Sequence, residues 1–307
     1  MVRAATPTLM RHRRLLYSVA MVGKPIVLSI AGFDPSSGAG ITADVKTAAA
    51  MDCFSVTCPT ALTIQTTQGV FGLEPVRPDV VRKTLYRLFE DVEIAAARIG
   101  MLGTGGVARV VAEFLAGSLG QNNTGNNNNV VLDPVIRSSS GALLVDTEGL
   151  AVIRERLLPL CDVVTPNVQE AAELTGVDSG WAAKSKSWTE TLPRLRDLTA
   201  QLHGLGCRAI VITGGHLSEP NDYLSVKGAG GADEQVFYGT HLDSRAMHGT
   251  GCAFATGLAC GLARGRQLPE AVRDAKEYVR RAIAASYPVG KGTGPMNHLF
   301  RLDEGKS

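Results

Sequence analysis

The sequence predicts an α/β fold in which a mostly parallel central sheet carries helices on both faces. Three observations predict it. Short β-rich apolar runs alternate with periodic helical stretches. The runs are apolar throughout rather than at every second residue, as strands buried on both faces are. The Gly-rich and acidic motifs fall at the ends of these runs, where open parallel sheets hold their ligands.

The expected strands are Ile26–Ala31, Ser55–Ile64, Ala96–Met101, Val130–Val135, Asp162–Thr165 and Arg208–Thr213. Between them, Val81, Leu85, Leu88 and Val92 line one face of a helix opened by Pro78. Val152, Ile153, Leu157 and Leu160 line a later one. A helix ends at Gly176, and the last helix begins at Pro269, turning Ala271, Ala275, Tyr278, Val279 and Ala282 inward. Tyr223–Val226 and Gln235–Tyr238 flank a Gly-rich stretch and predict a hairpin. Two segments read as surface insertions: the Asn-rich Gly120–Asn129, and Asp178–Thr191 with Trp181 and Trp188.

No linker divides the 307 residues, so one domain over residues 25–303 is expected, preceded by a disordered basic extension over 1–24. That extension holds Arg3, Arg11, Arg13, Arg14 and Lys24, and no acid precedes Asp34. Organelle-targeting peptides have this composition, but a start at Met21 is the plainer reading, and a cytoplasmic protein is expected. A net charge of +2 gives no reason for a nucleic-acid partner. No apolar run is long enough to span a membrane. The six cysteines have no C-x-x-C pair and sit within apolar stretches, as buried free thiols do.

Among the motifs, His248-Gly249-Thr250-Gly251-Cys252-Ala253 is the most informative. A Gly-rich turn entering a helix offers unpaired N–H groups and the positive dipole end to an anion. A cysteine there is expected to have a lowered pKa. As a base it would take a hydroxyl proton; as a nucleophile it would need a positioned His; as a packing residue it would do neither. The segment Gly32–Gly40 also enters a helix but fits neither the P-loop nor the dinucleotide fingerprint. Asp133 ends a strand, and Asn167-x-x-Glu170 starts a helix. Such carboxylates suit Mg²⁺ beside phosphates, while Asn167 and Glu170 equally suit a capping box. Thr213-Gly214-Gly215-His216 ends another strand, with His216 read as a loop histidine. Gln65 can pair its amide with a heteroaromatic edge or be a satisfied buried amide.

In order, AGFDPSSGAGITAD, TALTIQTTQGV, IGMLG, VLDPV, TPNVQEAAEL, the strand ending in GGH, HGTGC and VGKGTGP resemble the hydroxymethylpyrimidine/phosphomethylpyrimidine kinases of thiamine biosynthesis, within the ribokinase-like superfamily. The resemblance runs from about Ile26 to Leu302. It implies a three-layer α/β/α ribokinase-like fold and two ATP-dependent phosphorylations of one pyrimidine, with Mg²⁺. It implies pyrimidine contacts at Asp44 and Gln65, pocket walls at Gly32, Met101 and Val135, and an anion hole over Gly249, Thr250, Gly251 and Cys252, with Cys252 at the reacting hydroxyl. Asp133, Asn167 and Glu170 fall on the Mg·ATP side, Asp133 and Glu170 holding the metal through water. Lys291 approaches the nucleotide. A homodimer is compatible with the family.

The chain departs from the family pattern at two places. Thr213 stands where many relatives have Lys, which removes a phosphate contact. Ser37 replaces the usual first Gly of DPSGGAG, a mild change by size. Cys252 is similar to the vitamin-precursor branch, whereas sugar kinases of this fold usually carry Asp. A pyridoxal or pyridoxine kinase on the same scaffold is the nearest alternative. A non-catalytic pyrimidine-binding protein, suggested by Thr213, is the other.

Overall fold

The structure is a computed structural model that describes residues 23–119, 129–138, 140–185, 187–215, 217–242, 244 and 246–303. The basic extension through residue 22, Asn-rich residues 120–128 and His216 lie outside the described residues.

Nine strands form one sheet: β1 (Ile26–Phe33), β2 (Phe54–Thr66), β3 (Gly69–Pro75), β4 (Ile94–Ile99), β5 (Val130–Leu132), β6 (Val163–Val164), β7 (Ala209–Ile212), β8 (Asp222–Gly228) and β9 (Gly231–Phe237). Their order is β3-β2-β1-β4-β5-β6-β7-β8-β9. The run from β2 to β7 is parallel. β3 closes one edge antiparallel, and the β8–β9 hairpin closes the other.

Side-chain alternation divides the apolar strands between two cores. Leu28, Ile99, Leu132, Val164 and Ile212 meet α2 (Pro78–Asp91), α3 (Gly105–Phe114), α5 (Val168–Thr175) and α6 (Trp188–Gly204) on one face. Val27, Ala96, Val131, Val163 and Val211 meet α1 (Gly40–Ala50), α7 (Thr250–Ala263) and α8 (Leu268–Ala284) on the other. These are the three expected layers. Small residues bring α7 and α8 together: a Cβ at Gly261 would lie 2.8 Å from that of Ala271. α7 is thereby buried on nearly every side, which fixes where its first turn points.

The expected strands are all present, with ends shifted by a few residues. β3 was not expected, because Gly-Val-Phe-Gly-Leu-Glu-Pro reads as turn residues and its pairing comes from β2. The helix expected across Val152–Leu160 is regular only over α4 (Thr147–Val152), then widens over Ile153–Leu157 and tightens over Leu158–Leu160. Its inward face holds for Val152, Ile153 and Leu157, whereas Leu160 is 38% exposed. The second insertion is not wholly a surface excursion. Trp181 and Trp188 pack partly buried against the first core, and Trp188 opens α6 behind the Ser187 cap. All six cysteines are free thiols, and five are buried.

Candidate functional site

A cavity of about 1030 Å³ runs along the carboxyl ends of the parallel strands. Gly32, Met101, Asp133, Thr165 and Thr213 reach it from β1, β4, β5, β6 and β7, and the first turn of α7 closes it. Most of the expected site residues line it: Gly32, Gln65, Met101, Val135, Asp133, Asn167, Glu170, Thr213, Gly249, Thr250, Gly251 and Cys252.

Two of the expected residues do not line the cavity. Asp44 has no exposed surface. It receives Ser29 Oγ, Thr256 Oγ1 at 2.7 Å and Arg98 Nη1 at 3.1 Å, so its oxygens are spent inside the protein rather than presented to a ligand. Lys291 is exposed and lies between Gly290 and Gly292, which pack on Thr67 at the β2–β3 turn, and it is not among the residues lining the cavity.

In one part of the cavity, Asp34 builds the Gly-rich loop. Its Oδ1 receives Ser36 N–H at 2.8 Å and Ser36 Oγ at 2.7 Å, and its Oδ2 receives Ala39 N–H at 2.9 Å. Burial opposes the charge of this carboxyl, but the His248 and Ser36 hydrogen bonds prevail and hold it below the usual range. His248 Nε2 lies 2.8 Å from Asp34 Oδ2 and 3.1 Å from Gln65 Nε2. Thr63 Oγ1 donates to Gln65 Oε1 at 3.0 Å. His248 thus serves Asp34 rather than Cys252. Gly32 leaves room beside them for Met101, whose Cε a Cβ there would displace.

Ser37 departs from the family pattern more seriously than its size suggests. Its φ is +62°, in the left-handed region that favours glycine.

Packed against this loop, Gly249 caps α7 with φ +80°, and a Cβ would overlap Gly38 O. The first paired α7 amide is Ala253, which donates to Gly249 O at 3.0 Å. The amides before it form the anion cradle. Cys252 departs from expectation. Burial pushes its thiol up to about 12, outweighing the lowering from Arg98, while Asp133 and Asp44 raise it further. The helix start does not make a standing thiolate here, because desolvation dominates.

Asn167 and Glu170 form the capping box of α5: Glu170 N–H reaches Asn167 Oδ1 and Asn167 N–H reaches Glu170 Oε2, each at 2.9 Å. The cap does not remove them from the cavity. Burial, then the charge of Asp133, pushes the Glu170 carboxyl up to about 8. Two buried hard-oxygen groups in one wall suit Mg²⁺ whose remaining ligands are water and phosphate. Among the described residues no cluster of three or more His, Cys, Asp or Glu could hold a metal alone.

Sequence reasoning missed three cavity residues. Arg98 donates to Asp133 Oδ2 at 2.6 Å as well as to Asp44, and its only signal was a charge alone in an apolar strand. Lys276 Nζ lies 2.7 Å from Asp222 Oδ2 and 2.9 Å from Pro220 O, on the wall that includes Thr213. It brings a cation to a wall where Thr213 supplies none; its signal was a lysine next to inward-facing Ala275. Asp222 Oδ1 receives Gly214 N–H at 2.9 Å, tying this pair to the glycine turn after β7.

A family model described as phosphomethylpyrimidine kinase matches residues 34–297. The chain is 38% identical to a hydroxymethylpyrimidine/phosphomethylpyrimidine kinase of Streptomyces coelicolor, over 92% of this chain and 97% of that one. Among solved structures it is similar to an ADP complex of Bacillus subtilis pyridoxal kinase, with TM-score 0.76 and 29% identity, covering 91% of this chain and 99% of that one. It is also similar to a phosphomethylpyrimidine kinase from Clostridium difficile, with TM-score 0.69 and 30% identity, covering 85% and 100%.

Proposed function

The chain belongs to the phosphomethylpyrimidine kinase family, and on that premise we propose that it phosphorylates 4-amino-5-hydroxymethyl-2-methylpyrimidine from ATP, then its monophosphate to the diphosphate, for thiamine biosynthesis. One observation carries the reading: a single cavity joins an amide suited to a heteroaromatic edge, Gln65, to an anion cradle and a carboxyl pair, Asp133 and Glu170. We assign catalysis to one domain over residues 25–303.

Gln65, braced by Thr63, orients the pyrimidine between Gly32, Met101 and Val135. The hydroxymethyl oxygen then faces Cys252, and the Gly249–Cys252 amides hold the transferring phosphoryl group. Because the thiol is protonated, Cys252 acts as a relay: the hydroxyl proton passes to Sγ as the thiol proton passes to Asp133. Phosphoryl transfer through a loose transition state needs positioning and charge more than a strong base. Mg²⁺, held through water by Asp133 and Glu170, would neutralise charge on the nucleotide phosphates. Asn167, Thr213 and Lys276 complete the nucleotide wall.

Exposed Leu62, Ile64 and Phe71 on the β2–β3 hairpin support a homodimer. No helix among the described residues is long and apolar enough to cross a membrane. The free thiols support a reducing, cytoplasmic setting.

The test is mass spectrometry of hydroxymethylpyrimidine incubated with Mg·ATP. Mono- and then diphosphate are expected, and absence of both sinks the assignment. The likeness to the B. subtilis structure favours pyridoxal as the second substrate to try. Faster initial rates with pyridoxal would make the chain a pyridoxal kinase. Tight pyrimidine binding without ADP release would make it a binding protein.

A further inference from the structure

β4 runs into Gly100 and Met101, and Arg98 and Gly100 fall on the same face because side chains alternate along the strand. Arg98 has no exposed surface, yet its guanidinium reaches the floor of the cavity. It does so by folding back over Gly100. A Cβ at residue 100 would overlap Nη1 and stand 2.8 Å from Cζ. The tip alone is anchored. Nη1 donates to Asp44 Oδ2 at 3.1 Å and Nη2 to Asp133 Oδ2 at 2.6 Å, while Nε has no hydrogen-bond partner. On α7, Thr256 Oγ1 lies 2.7 Å from Asp44 Oδ1 and 2.8 Å from Cys252 O, and Cys252 lines the cavity together with Arg98 and Asp133. One side chain therefore joins α1, the end of β5 and, through Asp44, α7.

From this geometry we infer that Arg98, seated in the gap left by Gly100, is the positioning residue that fixes Asp133 and Cys252 relative to each other for phosphoryl transfer. It acts from the floor of the cavity, through Asp133 and Cys252 rather than on either substrate. The inference rests on the pyrimidine-kinase reading of the same cavity. A buried ion pair of this kind is a poor source of stability, since well-packed apolar side chains often do as well. The planar fork, which meets two carboxylates at fixed angles, is what a lysine cannot reproduce.

The neighbouring glycine gives a test that leaves every charge in place. Gly100→Ala puts a methyl where the guanidinium lies, and the overlapping atoms are the end of a flexible side chain, so the strand itself is not displaced. Displacing reacting groups by about an ångström costs up to roughly a hundredfold in rate. Gly100→Ala is therefore expected to lower kcat by about ten- to a hundredfold while the KM for the pyrimidine moves by less than about twofold. Arg98→Lys is expected to recover part of the activity lost in Arg98→Met. Adding Gly100→Ala to Arg98→Met should cost nothing further, because the two changes remove the same thing.

Wild-type kcat in Gly100→Ala, losses that multiply in the double variant, or a KM that rises as kcat falls would each overturn the inference. If Arg98→Met does not fold, as judged by its melting temperature, Arg98→Lys takes its place in the cycle. A wild type that makes no phosphorylated pyrimidine sinks the substrate reading instead. The cycle is then measured as ADP released by ATP hydrolysis, where the same order is expected and equal rates overturn the positioning role.

Discussion

Two adjoining parts of the cavity are built from different materials. Where Gln65 lies, Thr63 donates to the Gln65 amide oxygen, His248 donates to Asp34, and the Asp34 carboxyl is held below its usual range. Where Cys252 lies, Asp133, Asp44, Glu170 and Arg98 are all buried, and burial is the largest influence on each. The first holds its carboxylate by local hydrogen bonds and leaves the Gln65 amide N–H for a ligand. The second concentrates charge in a low-dielectric setting, where electrostatic effects are large. Substitutions at the first should change binding, and substitutions at the second should change turnover.

The largest effect is expected from Asp133→Asn. It removes one carboxylate from Arg98 and from the proposed Mg²⁺ pair without changing volume. Turnover should fall by about 10²–10³-fold, the scale of losing one preorganised charge-stabilising group. The KM for the pyrimidine should stay within about threefold. A KM effect as large as the kcat effect would erase the contrast between the two parts. Cys252→Ala should follow, at about a hundredfold in kcat, the low end of proton-transfer catalysis.

Cys252 also distinguishes a relay from a standing base through its pH behaviour. Alkylation proceeds through thiolate. With the thiol pushed up to about 12, thiolate is scarce throughout the neutral range. The rate of Cys252 carbamidomethylation, followed by peptide mass spectrometry, should therefore climb about tenfold per pH unit from 7 to 10, with no plateau. A plateau near pH 7 would restore the thiolate that the helix start alone suggests.

Gln65→Ala should have a smaller effect of the other kind. Losing one amide pairing costs about 1–1.5 kcal/mol, or about a tenfold rise in pyrimidine KM, with kcat nearly unchanged. An unaltered KM would place the pyrimidine elsewhere in the cavity.

How much of this was legible in the sequence follows from how local each feature is. The strands and the α7 anion cradle were legible because apolar runs and a Gly-rich helix entry are local patterns. The Asn167–Glu170 box was legible for the same reason, and the structure gives both residues a place on the cavity as well. Arg98 was not legible, because its role needs Gly100 beneath it and partners from α1 and β5. Asp44 was assigned to the ligand because its motif is local, but its burial is a tertiary fact. The Cys252 error has the same source: the helix dipole is local, whereas the desolvation that overrides it comes from packing.

The smallest predicted effect lies in the loop that Asp34 builds. Ser37 sits at φ +62°, with its carbonyl receiving Lys46 Nζ at 2.7 Å. A side chain in the left-handed region costs about 1 kcal/mol, and glycine relieves it. Glycine also loses more backbone freedom on folding, which returns part of the gain. Ser37→Gly should therefore stabilise the protein by about 0.5 kcal/mol in urea denaturation, with kcat unchanged. A loss of stability would mean that the loop holds Ser37 without strain. A change in kcat would mean that the hydrogen-bonded part of the cavity reaches further into the chemistry than its construction implies.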